Sequence, residues 1–375
     1  MKIVVVIPTY NEAKSIGRLI DVLDVEFKKM PQHNFQVLVV EGNSPDGTAE
    51  VVKEKMKNYG FVNLLMEEKK TGLGAAYVYG FKYAMTKLGA EVIVEMDADF
   101  QHDPSELIKL IKEIDNGYDY VIGSRFIEGG SIPGEWELKR KLFSKLGNLT
   151  AKIILGIHDV NDFTTGYKAS RVKGFVDKID LDHILSKSFA YKMDLLYKMY
   201  KAGAKIKEVP ITFGVREEGV SKMENNNPID SLRVVITLRL KDKDSQRFLR
   251  FCAVGFAGLF TDTFLANIFR VTFLTSRTAP LLSGLIAMIV TFVLNNFWSF
   301  NENKIPGFLK KLVYFVFYCV SSYVPVWFRS VLTGFATSSF GNTFLVFNTA
   351  FFIGIVLGLI WNFTIYSKII WRTKK

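Results

Sequence analysis

The hydrophobic rhythm of the chain changes near residue 227. Before that point, short β-branched runs alternate with helical patterns. Lys2 to Ile7, Gln36 to Val40, Val62 to Met66 and Val92 to Met96 read as strands with both faces buried. Between them, helical periodicity runs from Glu12 to about Met30, from Thr48 to Asn58 and from Gly74 to Leu88. This alternation predicts an α/β domain built on a mostly parallel, Rossmann-like sheet covered by helices on both faces. Tyr120 to Ile122 reads as a further strand, 129–134 as a loop and Leu138 to Leu155 as a helix. Ligands of such sheets bind beyond the carboxyl ends of the strands. Pro8 to Glu12, Glu41 to Thr48, Asp97 to Gln101 and Arg125 are therefore expected along one crevice.

From Asn227-Pro228 an amphipathic helix is predicted, with Ile229, Leu232, Val235, Ile236 and Leu240 on one face. Arg233, Arg239, Lys241 and Lys243 crowd its other side and its end, a pattern suited to the headgroup layer or to packing on a domain. Four apolar runs follow, at about 248–268, 279–300, 312–335 and 344–366. Each reaches the roughly 20 residues needed to cross a bilayer. The predicted organisation is an α/β domain over 1–226, a linking interface helix over 227–246 and an all-α transmembrane domain of four helices over 247–375. The second and fourth runs end alike, in Asn296-Phe297-Trp298 and Asn362-Phe363-Thr364, which predicts two related hairpins.

Charge then orients the runs. Arg247, Arg250, Lys304, Lys310, Lys311, Lys368, Arg372, Lys374 and Lys375 fall on one side; Arg270 and Arg277 fall on the other, and Arg329 lies within the third run. The positive-inside rule predicts a multi-pass membrane protein with both termini and the α/β domain in the cytoplasm. The opening directly on a strand, with no secretory leader pattern, agrees with that expectation. The formal net charge is +11, without zinc spacing or a recognition-helix signature. Lipid headgroups and phosphorylated substrates, not nucleic acid, are the expected partners. Cys252 and Cys319 both sit in apolar runs, which excludes a disulfide framework. Asp262 and Arg329, ionisable residues inside apolar runs, are candidates for a functional or a paired structural role.

The candidate chemistry centres on Asp97-Ala98-Asp99, two carboxylates spaced i, i+2 at the end of a buried strand. A helix start follows, with Asp103 as N-cap, Pro104 at the first helical position and Glu106 at N3. Taken singly, such a pair also fits a solvated acidic turn. Hard oxygens at a strand end suit Mg2+ or Mn2+ carrying a diphosphate. A dinucleotide site fits less well. Gly72-Leu73-Gly74 follows the third strand instead of the first, the first strand enters Pro-Thr-Tyr-Asn-Glu, and no Walker A loop is present.

Four ordered motifs extend this reading: Val6-Ile7-Pro8-Thr9-Tyr10-Asn11-Glu12, Asn43-Ser44-Pro45-Asp46-Gly47-Thr48, Asp97 to Pro104, and Ile122-Gly123-Ser124-Arg125. Together they resemble glycosyltransferase family 2, and within it the dolichol-phosphate mannosyltransferases. Asp162 to Lys168 and Val209-Pro210-Ile211-Thr212-Phe213, with Arg216 and Ser221-Lys222, carry the resemblance to about residue 223. It implies a GT-A domain that inverts mannose while moving it from GDP-mannose to a dolichyl or other polyprenyl phosphate. It also implies that Pro8, Tyr10, Glu12 and Glu41 line the nucleoside pocket, Ala98 meets the ribose through its backbone, and Asp97, Asp99 and Gln101 hold the metal and diphosphate. Glu41-Gly42 departs from the Asp-Asp pair common in the family, which leaves UDP-glucose as the competing donor. The second half resembles the GtrA-like four-helix family through Phe248-Leu249-Arg250-Phe251, Val254-Gly255 and the Asn-Phe repeats. It is expected to anchor the enzyme and seat the lipid tail; translocation of the lipid-linked sugar is the alternative.

On the acceptor side, Arg125 follows a strand into the ligand edge and Arg140 opens a basic helix. Both are expected at the lipid phosphate, with Asp99 and Arg125 as the catalytic pair. Lys192 is expected at the nucleotide sugar, and Arg216 and Lys222 flank a segment expected to close over the diphosphate. His102 is read as a turn residue, and Asp162 as a loop anchor, not a base.

Overall fold

The computed structural model describes residues 1–215, 227–272, 279–341 and 343–372. They form two compact units, Met1–Arg239 and Leu240–Lys375.

In the first unit, β1 (Lys2–Thr9), β2 (Asn34–Glu41), β3 (Val62–Met66) and β4 (Val92–Glu95) alternate with α1 (Ala13–Lys28), α2 (Thr48–Asn58) and α3 (Leu73–Thr86). A 3-10 turn over Pro104–Glu106 leads into α4 (Leu107–Asp115), then β5 (Tyr120–Ser124) and α5 (Leu138–Leu155). β6 (Lys168–Arg171), α6 (Tyr191–Lys201), β7 (Ile206–Pro210) and α7 (Asn227–Lys241) complete it. Among the described residues the strands form one sheet ordered β3-β2-β1-β4-β6-β5-β7. All pairings are parallel except those of β6, which runs against both β4 and β5. The alternating pattern predicted β1 to β5 but not the parallel edge strand β7. It did not reveal β6, whose four residues Lys-Ala-Ser-Arg carry no apolar run.

The sheet separates two cores. Val4, Val6, Leu38, Val40 and Ile93 face α3, α5 and α6, whereas Ile3, Val5, Ile7, Val37 and Val39 face α1 and α4. Alternate residues of one strand are thus buried on opposite faces, which is why β1 reads as an unbroken apolar run. Register then sets the functional edge. Thr9 pairs with Glu41 and Val6 with Glu95, so β1, β2 and β4 deliver their following loops to the same side.

Three local details differ from the sequence reading. Asp103 accepts from the Ser105 N–H at 2.8 Å, as an N-cap should, but the first turn is 3-10 and α4 starts only at Leu107. Glu106 does not close a capping box; it accepts from the Thr212 N–H at 3.1 Å and from Lys109 Nζ at 3.0 Å, tying α4 to the strand-exit after β7. On α7 it is Val234, Val235 and Leu238 that enter the core, while Ile229, Leu232, Ile236 and Leu240 are exposed. Of the five residues read on one apolar face, Val235 alone is thus turned into the core.

The second unit contains α8 (Lys243–Thr272), α9 (Ala279–Leu294), α10 (Phe308–Phe340) and α11 (Phe344–Ile365). Among the described residues, four helices are long and apolar enough to cross a membrane. The two predicted hairpins have a structural counterpart. Both α9 and α11 run into a π turn, over Asn295–Ser299 and Tyr366–Ile370, and the residues just beyond, Phe300 and Trp371, stack at 4.8 Å with planes 4° apart. Asn296 joins the ends by accepting from the Ile305 N–H at 2.8 Å and from Trp371 Nε1 at 2.9 Å. Asp262 is paired within the unit, accepting from Ser283 Oγ at 2.5 Å.

α3 lies on the sheet through Gly80. A Cβ there would meet Val6 Cγ1 at 2.6 Å and Val40 Cγ2 at 2.9 Å. Alanine would raise helix propensity by about 1 kcal/mol, but overpacking against two β-branched core residues costs about 1–3 kcal/mol. Gly80→Ala is therefore expected to lower the thermal unfolding midpoint of the first unit, measured by calorimetry on the full chain. An unchanged or raised midpoint would show that α3 can lift off the sheet without loss.

Candidate active site

The loops leaving β1 and β2 are laced together at the carboxyl edge. Asn11 N–H donates to Ser44 Oγ at 3.0 Å, Glu12 N–H to Thr48 Oγ1 at 3.0 Å and Ala13 N–H to Asp46 Oδ2 at 3.1 Å. Asp46 is held below the usual carboxylate range: its partial burial pushes upward, but the hydrogen bonds from Thr48 and Ala13 outweigh it. Polar turn residues spaced far apart in sequence thus build one rigid rim.

That rim borders a cleft of about 1070 Å3 in the first unit. Pro8, Tyr10, Glu12, Asp97, Ala98, Asp99, Gln101, Arg125, Arg140 and Lys192 all line it, bringing together predicted residues from β1, β4, β5, α5 and α6. Glu41 is the exception. It is fully buried, accepts from the backbone of Asn43 and Ser44 and from the Ser44 hydroxyl, and leaves Gly42 to line the cleft instead. The longer side chain curls into its own turn; its role here is to hold the loop. Arg216 and Lys222 lie outside the described residues.

The carboxylate pair sits on a tightly folded turn. Asp99 Oδ1 accepts from the Gln101 N–H at 3.1 Å, and Phe100 between them has φ 61°, a left-handed conformation unusual for an aromatic residue. Tyr77 donates to Asp97 Oδ1 at 3.2 Å, and Gln101 Nε2 donates to the Gly214 carbonyl at 3.3 Å. The second bond directs the amide nitrogen to protein and reserves the amide oxygen as a donor atom for a ligand. Among the described residues no group of three His, Cys, Asp or Glu side chains forms a metal cluster. Two carboxylates and an amide oxygen on one cleft-lining turn nevertheless suit a hard divalent ion that takes its other oxygens from a bound phosphate.

Beneath the pair lies a buried polar floor that the sequence reading did not assemble. Tyr191, stacked on Tyr77 at 5.2 Å, donates to Glu95 Oε2 at 2.6 Å. Lys168, opposite Glu95 in the β4–β6 register, donates to the Lys192 carbonyl at 3.2 Å. Burial pulls Lys168 down to about 8, against the attraction of Glu95, and burial raises Glu95 despite the nearby lysine. Gly166 brings the parts close: a Cβ there would lie 2.5 Å from Lys192 Nζ, 3.0 Å from His102 Cε1 and 3.1 Å from Asp97 Oδ2. The i, i+2 spacing of the carboxylates was the only sequence signal for this corner.

Arg125 reaches the cleft, but its charge is already matched. Nε donates to Asp162 Oδ2 and Nη2 to Asp162 Oδ1, both at 2.8 Å, and Nη2 also meets Thr164 Oγ1 at 2.6 Å. Asp162 is 0% exposed and also accepts from the N–H groups of Arg125, Thr164 and Thr165. Burial pushes its pKa up, yet the Arg125 charge and these donors bring it down to about 2. The fork expected to meet the lipid phosphate grips Asp162 in this structure, while Arg125 still lines the cleft. Arg140 is exposed at the opening of α5, with its guanidinium 3.8 Å above the Trp136 ring, and it lines the cleft beside Lys139. Lys70, over the Tyr10 ring at 4.3 Å, adds a further cation to the cleft lining that the sequence reading missed.

The buried pair generates a pH prediction. Because Asp162 titrates below its ordinary value in the folded state, the native protein binds that proton less readily than the unfolded chain. The pair therefore stabilises the first unit above about pH 4, and that contribution is lost as pH falls from about 4 to about 2. Asp162→Asn leaves Arg125 buried without a counter-charge and is expected to cost about 3–5 kcal/mol at neutral pH. Urea unfolding of both proteins from pH 7 to pH 3 checks this; equal stabilities at pH 7 would overturn it.

Comparison with known proteins now bears on this geometry. Residues 4–175 match the model of glycosyl transferase family 2, and residues 250–371 match that of the GtrA/DPMS transmembrane domain. The chain is 30% identical over 378 residues to a dolichol-phosphate mannosyltransferase of Pyrococcus furiosus, covering 100% of both chains. It is 38% identical to a polyprenol monophosphomannose synthase of Mycolicibacterium smegmatis, over 60% of this chain and 81% of that one. An undecaprenyl-phosphate mannosyltransferase of Micrococcus luteus is 39% identical over 60% of this chain and 88% of its own. With its mostly parallel GT-A sheet, its carboxylate-bearing edge and its four apolar helices, the chain belongs to glycosyl transferase family 2 and carries a GtrA/DPMS transmembrane domain.

Proposed function

We propose that this enzyme transfers mannose from GDP-mannose to a dolichyl or other polyprenyl phosphate, releasing GDP, at the cytoplasmic face of a membrane. One observation carries the reading: a single cleft runs from the loops after β1, β2 and β4 to a wall made by α5. At the first end, carboxylates and a cation beside Tyr10 suit a nucleoside diphosphate. At the other, Phe143, Leu146 and Ala151 lie beside Lys139 and Arg140, a combination that suits a phosphate on a hydrocarbon chain. The names of the relatives support mannose and a polyprenyl acceptor.

α5 also offers a reason for working at a membrane. Leu138, Leu142, Leu146, Leu149 and Ile153 form an exposed apolar row, interleaved with Lys139, Lys141 and Lys145. Such a helix is suited to the boundary between anionic headgroups and acyl chains. The lysine and arginine bias of the loops between apolar helices supports the cytoplasmic assignment.

The chemistry asks little of a base. A phosphate monoester has its second pKa near 6, so the attacking oxygen is already anionic. The task is to hold two anionic groups together and to stabilise the departing diphosphate. Asp97, Asp99 and Gln101 would hold Mg2+ or Mn2+, which supplies positive charge to the leaving group. Lys192, buried on α6 beside Asp97, adds a fixed cation, and Arg140 with Lys139 draws in the acceptor phosphate. Attack from the α5 side on the anomeric carbon inverts its configuration. Asp162, saturated by Arg125 and backbone donors, is a structural group and takes no proton.

Membranes containing the protein, given radiolabelled GDP-mannose or UDP-glucose, are expected to pass label from GDP-mannose alone into organic extract, and to stop doing so in EDTA. Asp99→Ala is expected to lose at least about 100-fold in transfer, the scale of removing electrostatic stabilisation from a transition state. Labelling from UDP-glucose instead would make the protein a polyprenyl-phosphate glucosyltransferase, and undiminished transfer in EDTA would remove the metal.

Arg140→Lys keeps the charge but not the planar fork. It is expected to raise KM for polyprenyl phosphate by about tenfold, given the ~1.5–3 kcal/mol typical of charge-assisted bonds. GDP affinity should stay unchanged in calorimetry. A matching fall in GDP affinity would move Arg140 to the donor side.

A further inference from the structure

The turn that carries Asp97, Asp99 and Gln101 is closed by a side chain to which the reaction outlined above gives no part. His102 folds back so that its Nδ1 accepts from the Asp97 N–H at 3.2 Å. The ring is 1% exposed, lies against Tyr167 at 5.1 Å and meets Phe213 edge-on at 5.4 Å. Its backbone pairs with Phe213, and the neighbouring Gln101 carbonyl accepts from the Gly214 N–H at 2.9 Å. The imidazole is thus fixed from three directions while it holds one end of a turn whose middle residue, Phe100, is in the left-handed region.

Filling space does not account for an imidazole here. With Nδ1 accepting, the ring proton belongs on Nε2, and Nε2 is buried without a hydrogen-bond partner among the described residues. A purely apolar ring would pack between Tyr167 and Phe213 without stranding a donor, so the polar ring is costly as core filler. What imidazole supplies and phenyl lacks is an acceptor at the δ position, aimed at the amide of the first carboxylate residue. A sp2 acceptor rigidly placed by stacking suits an amide that must not drift when a diphosphate arrives.

We propose that His102 is a positioning residue that clamps the Asp97–Gln101 turn through Nδ1 and so sets the placement of both carboxylates for the donor diphosphate. The functional half of this inference rests on reading Asp97, Asp99 and Gln101 as the diphosphate-facing set; the clamp itself does not. Asparagine carries its oxygen the same number of bonds from Cβ as Nδ1, whereas glutamine places its oxygen where Nε2 lies. The two amides therefore separate the acceptor role from mere polarity.

The test uses the full-length chain in detergent with His102→Leu, His102→Asn and His102→Gln. Hydrogen exchange of the Asp97 amide, read from overlapping peptides without ligand, reports the clamp directly. Mannosyl transfer and Mn2+-dependent GDP binding report its consequence. His102→Leu and His102→Gln are expected to exchange that amide about tenfold faster and to lose about tenfold in kcat, the scale of one hydrogen bond. His102→Asn should recover most of both, and protection of the β1 and β2 amides should be unchanged throughout. Unaltered Asp97 exchange in the leucine variant, or recovery by Gln and not Asn, overturns the proposal. Faster exchange with unchanged transfer and GDP binding also overturns it, reducing His102 to a turn-closing residue. If the leucine variant does not fold, the Asn and Gln pair decides. Wild-type protein that binds no GDP in Mn2+ counts against the proposed function, while the exchange pattern still judges the clamp.

Discussion

The buried pair of Arg125 and Asp162 is the constraint around which the first unit is assembled. Asp162 draws six hydrogen bonds from Arg125 and from its own loop, and its backbone N–H donates to Glu208 on β7 at 2.9 Å. The adjoining Phe163 N–H donates to Asn148 on α5 at 2.7 Å. One loop therefore locks the end of β5, the edge strand β7 and the wall helix α5 into a common frame. A charge without water is tolerable only when every lone pair is used, and here the satisfaction is nearly complete. The same loop delivers Gly166 to the point where Lys192, His102 and Asp97 meet.

This arrangement separates two uses of positive charge. Arg125 lines the cleft but is neutralised in place by Asp162, and Arg140, Lys139, Lys70 and Lys192 line the same cleft. Lys192 is buried and fixed on α6, whereas Lys70, Lys139 and Arg140 are exposed at the cleft's rim. The Glu95–Lys168 pair extends the principle downward. It reaches no ligand, yet through the Lys192 carbonyl it steadies the first turn of α6.

Glycine spacing illustrates how a motif can point to packing instead of a ligand. Gly72 and Gly74 open α3, and a Cβ at either would strike backbone oxygen, Lys187 O at 2.4 Å or Ser186 O at 2.8 Å. The Gly74 N–H donates to the Lys187 carbonyl at 2.8 Å. The pair exists so that two backbones can touch, which is why it follows the third strand and not the first.

The parallel strands, the helices between them, the four apolar helices and the Asp-x-Asp edge were legible along the chain. Each is a local periodicity or a motif set at a strand end by the βαβ connection. β6 was not legible, because its burial comes from Glu95–Lys168 pairing across the sheet and from Tyr120 beside it, not from apolar residues of its own. Glu41 and Arg125 lie at the carboxyl edge of the sheet, yet their partners are set by the fold: Ser44 in a turn for one, Asp162 from 37 positions downstream for the other. His102 read as a turn residue because nothing in Gln-His-Asp-Pro tells that Tyr167 and Phe213 will enclose it. Sequence by itself determined β1 to β5, the helices between them and the four apolar helices, since hydrophobic period and turn chemistry act over a few residues. Only the tertiary structure decided which charges remain for a ligand, because that depends on which distant groups satisfy them first.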